Sequence, residues 1–373
     1  MTYDVAIVGA GIVGLAHALV ASRRGKKVVV IDRDAAANGA SIRNFGFVTV
    51  TGQAAGDCWQ MARRARDVWA EVSEAAGIPV LHRGLVMTAR RPEAEAVIDA
   101  FLRTEMGAEC RRITPRQAAD HVDALRADEI TAALYSPHEL RVESRDALPA
   151  LARWLAETQG IDFLWSTAVH AIETPKLETS RGTIRAETVI VCPGDDFRSL
   201  FPGRIAAYAP TRCKLHMLRV TPEKPVRFGA AVMSDLGLAR YHGYADLPEA
   251  AALKTRLDAE QSVQRENGVH LIVVQSADGS LVVGDSHHYG ETPDPFMPDE
   301  VNRLILDEME AVLDLGDYRV SEGWLGTYAS AADRWRFTDA PDEATRIVVV
   351  TAGCGASTCF GIAEETIGTL FGA

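Results

Sequence analysis

The sequence predicts an α/β protein: a Rossmann-type dinucleotide-binding domain joined to a second, mixed-sheet α+β domain. Three observations predict it. Near the amino terminus a short apolar strand runs into a glycine turn, a helix, and a second strand that ends on an acid. Two further buried strands, within 188–194 and 346–357, also end in glycine turns. Stretches of alternating polarity at 214–220 and 270–274 carry no such turn and read as strands of a separate sheet.

At 373 residues the chain is long for one core, so two closely connected domains are expected. Composition is ordinary for a globular protein, 47% apolar and 24% charged. The net charge of -12 speaks against a nucleic-acid or anionic-membrane partner, because counterion release needs a basic footprint. Six cysteines (Cys58, Cys110, Cys192, Cys213, Cys354 and Cys359) are scattered, with no C-x-x-C pair. That argues against a zinc site or a disulfide framework and suits a reducing cytoplasm. The apolar stretch Val5 to Val20 lacks a basic leader and is broken by Gly9, Gly11 and Gly14, so it does not read as a signal peptide. No run approaches the roughly 20 apolar residues of a membrane span.

The first unit runs Asp4-Val5-Ala6-Ile7-Val8 as a strand, Gly9-Ala10-Gly11-Ile12-Val13-Gly14 as a turn, and Leu15 to Arg24 as a helix closed by Gly25. Lys27 to Ile31 is the next strand, and Asp32 stands at its end. Gly9 permits the tight turn, Gly11 lets backbone N–H groups approach a pyrophosphate, and Gly14 allows close helix–strand packing. The helix amino terminus adds a partial positive charge for phosphates. The Asp32 carboxylate suits adenosine ribose hydroxyls and repels a 2′-phosphate, which disfavours NADP despite the neighbouring Arg33.

The carboxy-terminal turn selects FAD over NAD. Arg346 to Thr351 is a buried strand, followed by Ala352-Gly353-Cys354-Gly355-Ala356-Ser357 and a helix to about Leu370. A helix amino terminus there would face the flavin pyrimidine and stabilise the negative charge that gathers on reduction. Thr188 to Gly194 is a further buried strand ending in a glycine turn.

With these elements the chain resembles the D-amino-acid oxidase, glycine oxidase and sarcosine oxidase family of flavoproteins. The matching stretches are Val8 to Gly14 with Asp32, Gly39-Ala40-Ser41 to Gly46, the strand ending at Gly194, and Thr351 to Ser357. The resemblance implies a glycine oxidase-like fold. Its flavin domain would be built from 1–80, 142–204 and 323–373, and its substrate domain from 81–141 and 205–322. It implies Ser41 near the phosphates and Arg43-Asn44-Phe45-Gly46 passing close to the isoalloxazine ring. It also implies cofactor contacts from Ile12, Val13, Asp32, Arg33, Val169, Trp324, Gly353, Gly355, Ala356, Ser357 and Thr358.

Two departures from the family pattern stand out. Members acting on α-amino acids carry an arginine shortly after a Trp-x-Gly pattern, where it clamps the substrate carboxylate. Here Trp324-Leu325-Gly326-Thr327-Tyr328 puts Tyr328 in that position, and a phenol cannot replace a bidentate guanidinium in kind. The cysteine that tethers flavin in monomeric sarcosine oxidases is also missing, so FAD is expected to be non-covalent. The strings Ala40 to Gly46, Gly284-Asp285-Ser286-His287, Tyr328-Ala329-Ser330 and Gly355 to Thr358 further resemble a subgroup associated with aminophosphonate breakdown. Its substrates would be 2-aminoethylphosphonate or the N-methyl derivative, whose nearly dianionic head needs several donors. The alternatives are a sarcosine, glycine or D-amino-acid oxidase, and a flavin-binding subunit without its own turnover.

Candidate substrate contacts are Arg43, Lys214, His287, Tyr328 and Tyr241. Lys214, His216 and Leu218 share one strand face, which either lines an anion cavity or faces solvent. Arg240-Tyr241-His242 is open to the same two readings. His287-His288 is not expected to bind a metal, since neighbours on a strand face opposite ways and no second acidic cluster completes a site. His287 is either a substrate-side residue or a surface loop histidine. Arg141, Glu143 and Arg145 precede an amphipathic helix and are expected in helix-start and surface pairs. The implied reaction passes a hydride from the amine-bearing carbon of a small substrate to the flavin, with oxygen or another acceptor closing the cycle.

Overall fold

The computed structural model describes residues 2–372, and its secondary structure divides between two sheets. The first has the order Arg336–Asp339, Thr345–Val350, Gly182–Val191, Thr2–Val8, Val28–Ile31, Asp162–Leu164. Val8 registers with both Ile31 and Val191, and Val191 with Ile347, all in parallel. Only Arg336–Asp339 runs antiparallel on this path, against Thr345–Val350. The strands are continuous apolar runs because both faces are covered. Helices Ile12–Arg23, Ser144–Gln159 and Gly355–Phe371 pack over one face. The hairpin Val169–Glu173 and Lys176–Thr179 covers the other with Ile205 and Phe337.

The first helix begins at Ile12, three residues earlier than the pattern from Leu15 suggested. Residues 14 to 21 are all buried, so it lacks the polar stripe that marks a surface helix. Gly25 closes it with φ +72°.

The second sheet has ten strands and mixed direction. Its long members are Val80–Ala89, Ala132–Val142, Thr211–Pro222 and Tyr318–Ser330. Ala231–Met233 pairs parallel to Val80–Ala89, while its other pairings are antiparallel. Thr211–Pro222 sends Met217 and Leu215 into one core and Leu218 and Val220 into another. This sheet is therefore buried on two faces, not one.

Two stretches cross between the sheets. Phe47–Val48 leaves the nucleotide unit to pair with Arg141 and Leu140 at the edge of the second sheet. The proposed domain division at 323 falls inside Tyr318–Ser330, which pairs with 211–222 along its length. Arg145 forms the expected exposed pair, with Glu322 at 2.7 Å. Arg141 does not lie on the surface. It is fully buried, donates to Glu143 at 3.0 Å and Ser276 at 3.3 Å, and has its pKa lowered by burial. The crossing at Gly46 demands this packing: a Cβ there would fall 1.9 Å from the Val142 carbonyl, at φ +61°.

Candidate active site

A cavity of about 620 Å³ runs from the amino-terminal glycine turn to the inner wall of the second sheet. At one end Gly11, Ile12, Val13 and Gly14 line it together with Ser41, Asn44 and Phe45. Gly194 and the turn Gly353, Gly355, Ala356, Ser357 also line it. Two helix amino termini, at Ile12 and Gly355, thus open on one space, and neither has an acidic residue in its first turn. Both ends are left positive for an anion.

The turn is built for close approach. A Cβ on Gly14 would lie 1.9 Å from the Gly9 carbonyl, and one on Gly9 would lie 2.4 Å from the Cys192 carbonyl. On Gly11 it would meet Ser41 Oγ at 3.1 Å, filling the space where backbone and phosphate would meet. Ser41 Oγ accepts from the Ile12 N–H at 2.9 Å. Asp32 accepts from the Ala10 N–H at 2.7 Å and the Asp34 N–H at 2.9 Å, which fastens the turn to the end of the second strand. Asn44 clamps its own loop, donating to the Ala40 carbonyl and accepting from the Gly46 N–H. Ser357 Oγ accepts from the Thr49 N–H at 2.9 Å and joins the carboxy-terminal turn to the crossing segment. These features fit a dinucleotide with a pyrophosphate over Gly11 and a second group at Gly353–Ser357.

Other expected cofactor contacts lie outside this lining. Arg33 is exposed and pairs with Asp196 at 2.6 Å. Val169 packs under the first sheet, and the Thr358 hydroxyl donates to the Cys354 carbonyl. Trp324 donates its indole N–H to the Arg43 carbonyl at 3.2 Å and so supports the cavity edge from behind.

Four of the five expected substrate contacts, Arg43, Tyr241, His287 and Tyr328, do border the cavity. Lys214 does not. Its Nζ pairs with Asp294 at 2.9 Å and donates to the Phe296 carbonyl, while His216 on the same face meets Asn302 at 3.1 Å. Leu215, one residue on, faces the cavity, so the alternation of the strand turns Lys214 to the far side.

The wall also holds residues that were not expected to act together. Arg240 is half-buried and donates to the Tyr289 hydroxyl at 3.2 Å. Burial works against its charge, but Tyr289, Tyr328 and Asp285 outweigh it and raise its pKa. His270 and Asp285 border the cavity beside His287, and all three are buried. The two adjacent histidines part as expected, but His287 gains an acid and a second histidine that the sequence did not bring to it. His288 turns toward His216, at 5.7 Å between ring centres, whereas His287 meets His270 and Asp285 with ligand atoms within 4.8 Å of one another. Burial pushes Asp285 up to about 8 against the pull of Arg240. Burial, reinforced by Arg240, holds both histidines well below their usual value. Burial likewise raises Tyr241 and Tyr328. The string Gly284 to His287 was the one signal in the sequence for this cluster; nothing in it pointed to His270.

Two of the scattered cysteines, Cys58 and Cys354, both line the cavity; Cys58 donates to Gln53 Oε1 at 3.7 Å, and all six are free thiols. Among the described residues no helix is long and apolar enough to cross a membrane.

Comparison with known proteins agrees with this geometry. A family model described as DAO, FAD dependent oxidoreductase, matches residues 4–368. A glycine oxidase from Geobacillus kaustophilus (strain HTA426) is 26% identical over 206 residues, which is 52% of this chain and 54% of that protein. The match therefore spans about half the length of that curated relative. The crystal structure of glycine oxidase from Geobacillus kaustophilus superposes with TM-score 0.76 at 19% identity, covering 99% of this chain and 94% of that one. L-Proline dehydrogenase from P. horikoshii gives 0.78 at 19% identity, covering 99% and 93%. Iminodiacetate oxidase from Chelativorans sp. BNC1 gives 0.73 at 18% identity, covering 99% and 95%. The expected glycine oxidase-like architecture is borne out.

Proposed function

The chain belongs to the DAO family of FAD-dependent oxidoreductases, and from that premise we propose that it oxidises a small amine bearing an anionic group. The observation that carries this reading is a cavity that joins the glycine turn at Gly11 to a wall bearing a cation, Arg240, and an acid, Asp285. FAD, when bound, supplies the two-electron acceptor.

The protein's own contribution is placement and electrostatics. Gly11, Ile12 and Ser41 hold the pyrophosphate end, and the turn Gly353–Ser357 meets the flavin end. Arg240 takes the anionic group of the substrate from a different element than the family pattern would use, which accounts for Tyr328 in place of an arginine. Tyr241, Tyr289 and Tyr328 surround that group with further donors. Arg43 stands at the cavity edge with its guanidinium loosely held by Asn38 at 3.3 Å, free to swing toward a charged ligand.

The relatives' names point to amino carboxylates: glycine, iminodiacetate and proline. An α-amino or N-substituted amino carboxylate is accordingly the first substrate class. Tyr328 favours a second, the aminophosphonates, since three phenols around one guanidinium suit a head with three oxygens. Anaerobic mixing with sarcosine, glycine, D-alanine, 2-aminoethylphosphonate and its N-methyl derivative tests both. Bleaching of the bound flavin by at least one member is expected, and the class that bleaches it at the lower concentration identifies the anion. A holoenzyme left yellow by every amine in a broad panel is a flavin-binding subunit instead.

A further inference from the structure

In the polar wall of the cavity a carboxylate, Asp285, faces two imidazoles, one of which turns a lone pair toward it. His270 Nδ1 lies 3.3 Å from Asp285 Oδ1, and His287 Nε2 lies 3.8 Å from Asp285 Oδ2. The tautomer of His287 follows from its partner. Its Nδ1 is 2.9 Å from the Gly268 carbonyl, which can only accept, so Nδ1 carries the proton. Nε2 then turns a lone pair toward a carboxylate. Neither His270 Nδ1 nor Asp285 Oδ1 has a hydrogen-bond partner within the protein, although both residues are buried. Tyr241 Oη engages the other nitrogen of His270, at 3.1 Å. A phenol donating from Tyr241 leaves the His270 proton on Nδ1, toward Asp285, so His287 Nε2 and Asp285 are the two buried acceptors that are unfavourable until a proton joins them. With the acid pushed up to about 8, Asp285 itself holds that proton at lower pH; above it the ionised carboxylate stands at the cavity wall, open to a proton from the occupant.

On the reading of this protein as an amine oxidoreductase, we propose that Asp285, flanked by His270 and His287, accepts the proton of the substrate's ammonium group before the amine is oxidised. One N–H bond breaks, one O–H bond forms on Asp285, and the electron pair stays on nitrogen. An ammonium and a carboxylate become a neutral amine and a carboxylic acid, so charge is conserved. In a buried wall the neutral pair is favoured over the ion pair, because desolvation penalises both charges. Arg240 acts on both partners: it opposes a second cation beside it, and it pulls the Asp285 acid down against the effect of burial. The free lone pair of His287 Nε2, 3.8 Å from Asp285 Oδ2, faces the O–H so formed and stays unprotonated, since burial and Arg240 hold the imidazole well below its usual value.

The titratable groups facing Asp285 are Arg240 and Tyr241 from the 237–245 segment, His270, His287, and Cys213 on Thr211–Pro222. Burial dominates them and brings the acid up to about 8. That lies much closer than an ordinary aspartate to the value of about 10 typical of an alkylamine. A divalent cation is the rival occupant of the same three ligands. Arg240, whose charge depresses both histidines, opposes it.

The test uses the holoenzyme and an amine that bleaches its flavin, in stopped-flow reduction from pH 6 to 11. Wild type should show a rate that rises with pH through a value near 8. Asp285→Asn should reduce flavin about 100-fold more slowly at pH 7 and recover most of that loss above the amine's own pKa, near 10, where substrate arrives neutral. Asp285→Glu should restore much of the rate at pH 7. FAD content and melting temperature establish that each variant is folded. A loss in Asp285→Asn that is equal at every pH, or an unchanged rate, overturns the proposal. So does stoichiometric metal in the isolated holoenzyme that disappears in Asp285→Asn. If no amine bleaches the wild-type flavin, amine oxidation itself is wrong and this step falls with it.

Discussion

The ring of Tyr328 lies against Gly353 so closely that a Cβ on the glycine would stand 3.1 Å from Tyr328 Cζ, and the glycine holds φ +69°. The long strand of the second sheet and the carboxy-terminal turn of the first are thereby joined at the cavity lining. Gly353→Ala combines a left-handed backbone with a contact that must give way. We expect a loss of roughly 1–3 kcal/mol in stability and weaker retention of FAD. Thermal unfolding and the ratio of visible to ultraviolet absorbance would register both, and Tyr328→Phe, which keeps the ring, should leave stability nearly unchanged.

Gly14→Ala should abolish the yellow chromophore. Its Cβ would lie 1.9 Å from a backbone carbonyl in the turn that cradles the pyrophosphate, and backbone cannot move aside there without opening the turn. Gly25→Ala is the matched control: its φ of +72° is strained, but the space around it is open. It should lower stability by about 1 kcal/mol while the protein keeps its flavin after desalting.

Arg240→Met should raise the substrate concentration for half-maximal flavin reduction by about 100-fold, the loss expected when a charged anchor is removed from a part-buried anion site. Arg240→Lys should recover only part of this, because an ammonium cannot reproduce a planar fork. Equal binding of the substrate by wild type and Arg240→Met would remove the arginine from the site.

Lys214→Met should leave the kinetic constants at wild-type values. The ammonium faces Asp294, which is 59% exposed, so the pair is worth no more than about 1 kcal/mol in stability. A large rise in KM would mean that this strand face reaches the substrate after all.

Asp285 also shapes the pH dependence of stability. Its folded pKa lies near 8, above the ordinary value of the unfolded chain, so its stabilising contribution is complete at about pH 4 and is lost as pH rises toward 8. The melting temperature of Asp285→Asn relative to wild type should therefore climb between those limits and level off above them. His270 and His287, depressed by burial, act with the opposite sign and reduce stability as pH falls below about 6.5 in both proteins. A difference that is flat across the range would show that Asp285 is ionised in the native state at neutral pH.

Much of the nucleotide half was legible because its signals are local. The turn from Gly9 to Gly14, the acid at Asp32 and the turn at Gly353–Gly355 each combine a few neighbouring residues with one backbone requirement. The polar wall was not legible, because it is a product of pairing. His270 and Asp285 meet through backbone hydrogen bonds between two segments, and Arg240 arrives from a third. Lys214 failed for a related reason. Alternation along Thr211–Pro222 separates two faces, but both are covered, and only the packing of Asn302 over His216 tells which face is away from the cavity. Arg141 shows the limit of charge as a surface signal, since its partners Glu143 and Ser276 let a guanidinium lie at zero exposure.

The first sheet joins Thr2–Val8 to Gly182–Val191 and Thr345–Val350, and the cavity joins Gly11 to Ser357. During synthesis, then, the amino-terminal turn leaves the ribosome long before the strand and helix that complete its cradle. The nascent chain must keep a run of buried valines and isoleucines soluble without help from the cofactor. The cradle for the flavin is complete only once Thr345–Val350 and the turn to Ser357 have folded onto it, so the bound cofactor adds its stabilisation to the folded state and none to the strands that emerge first.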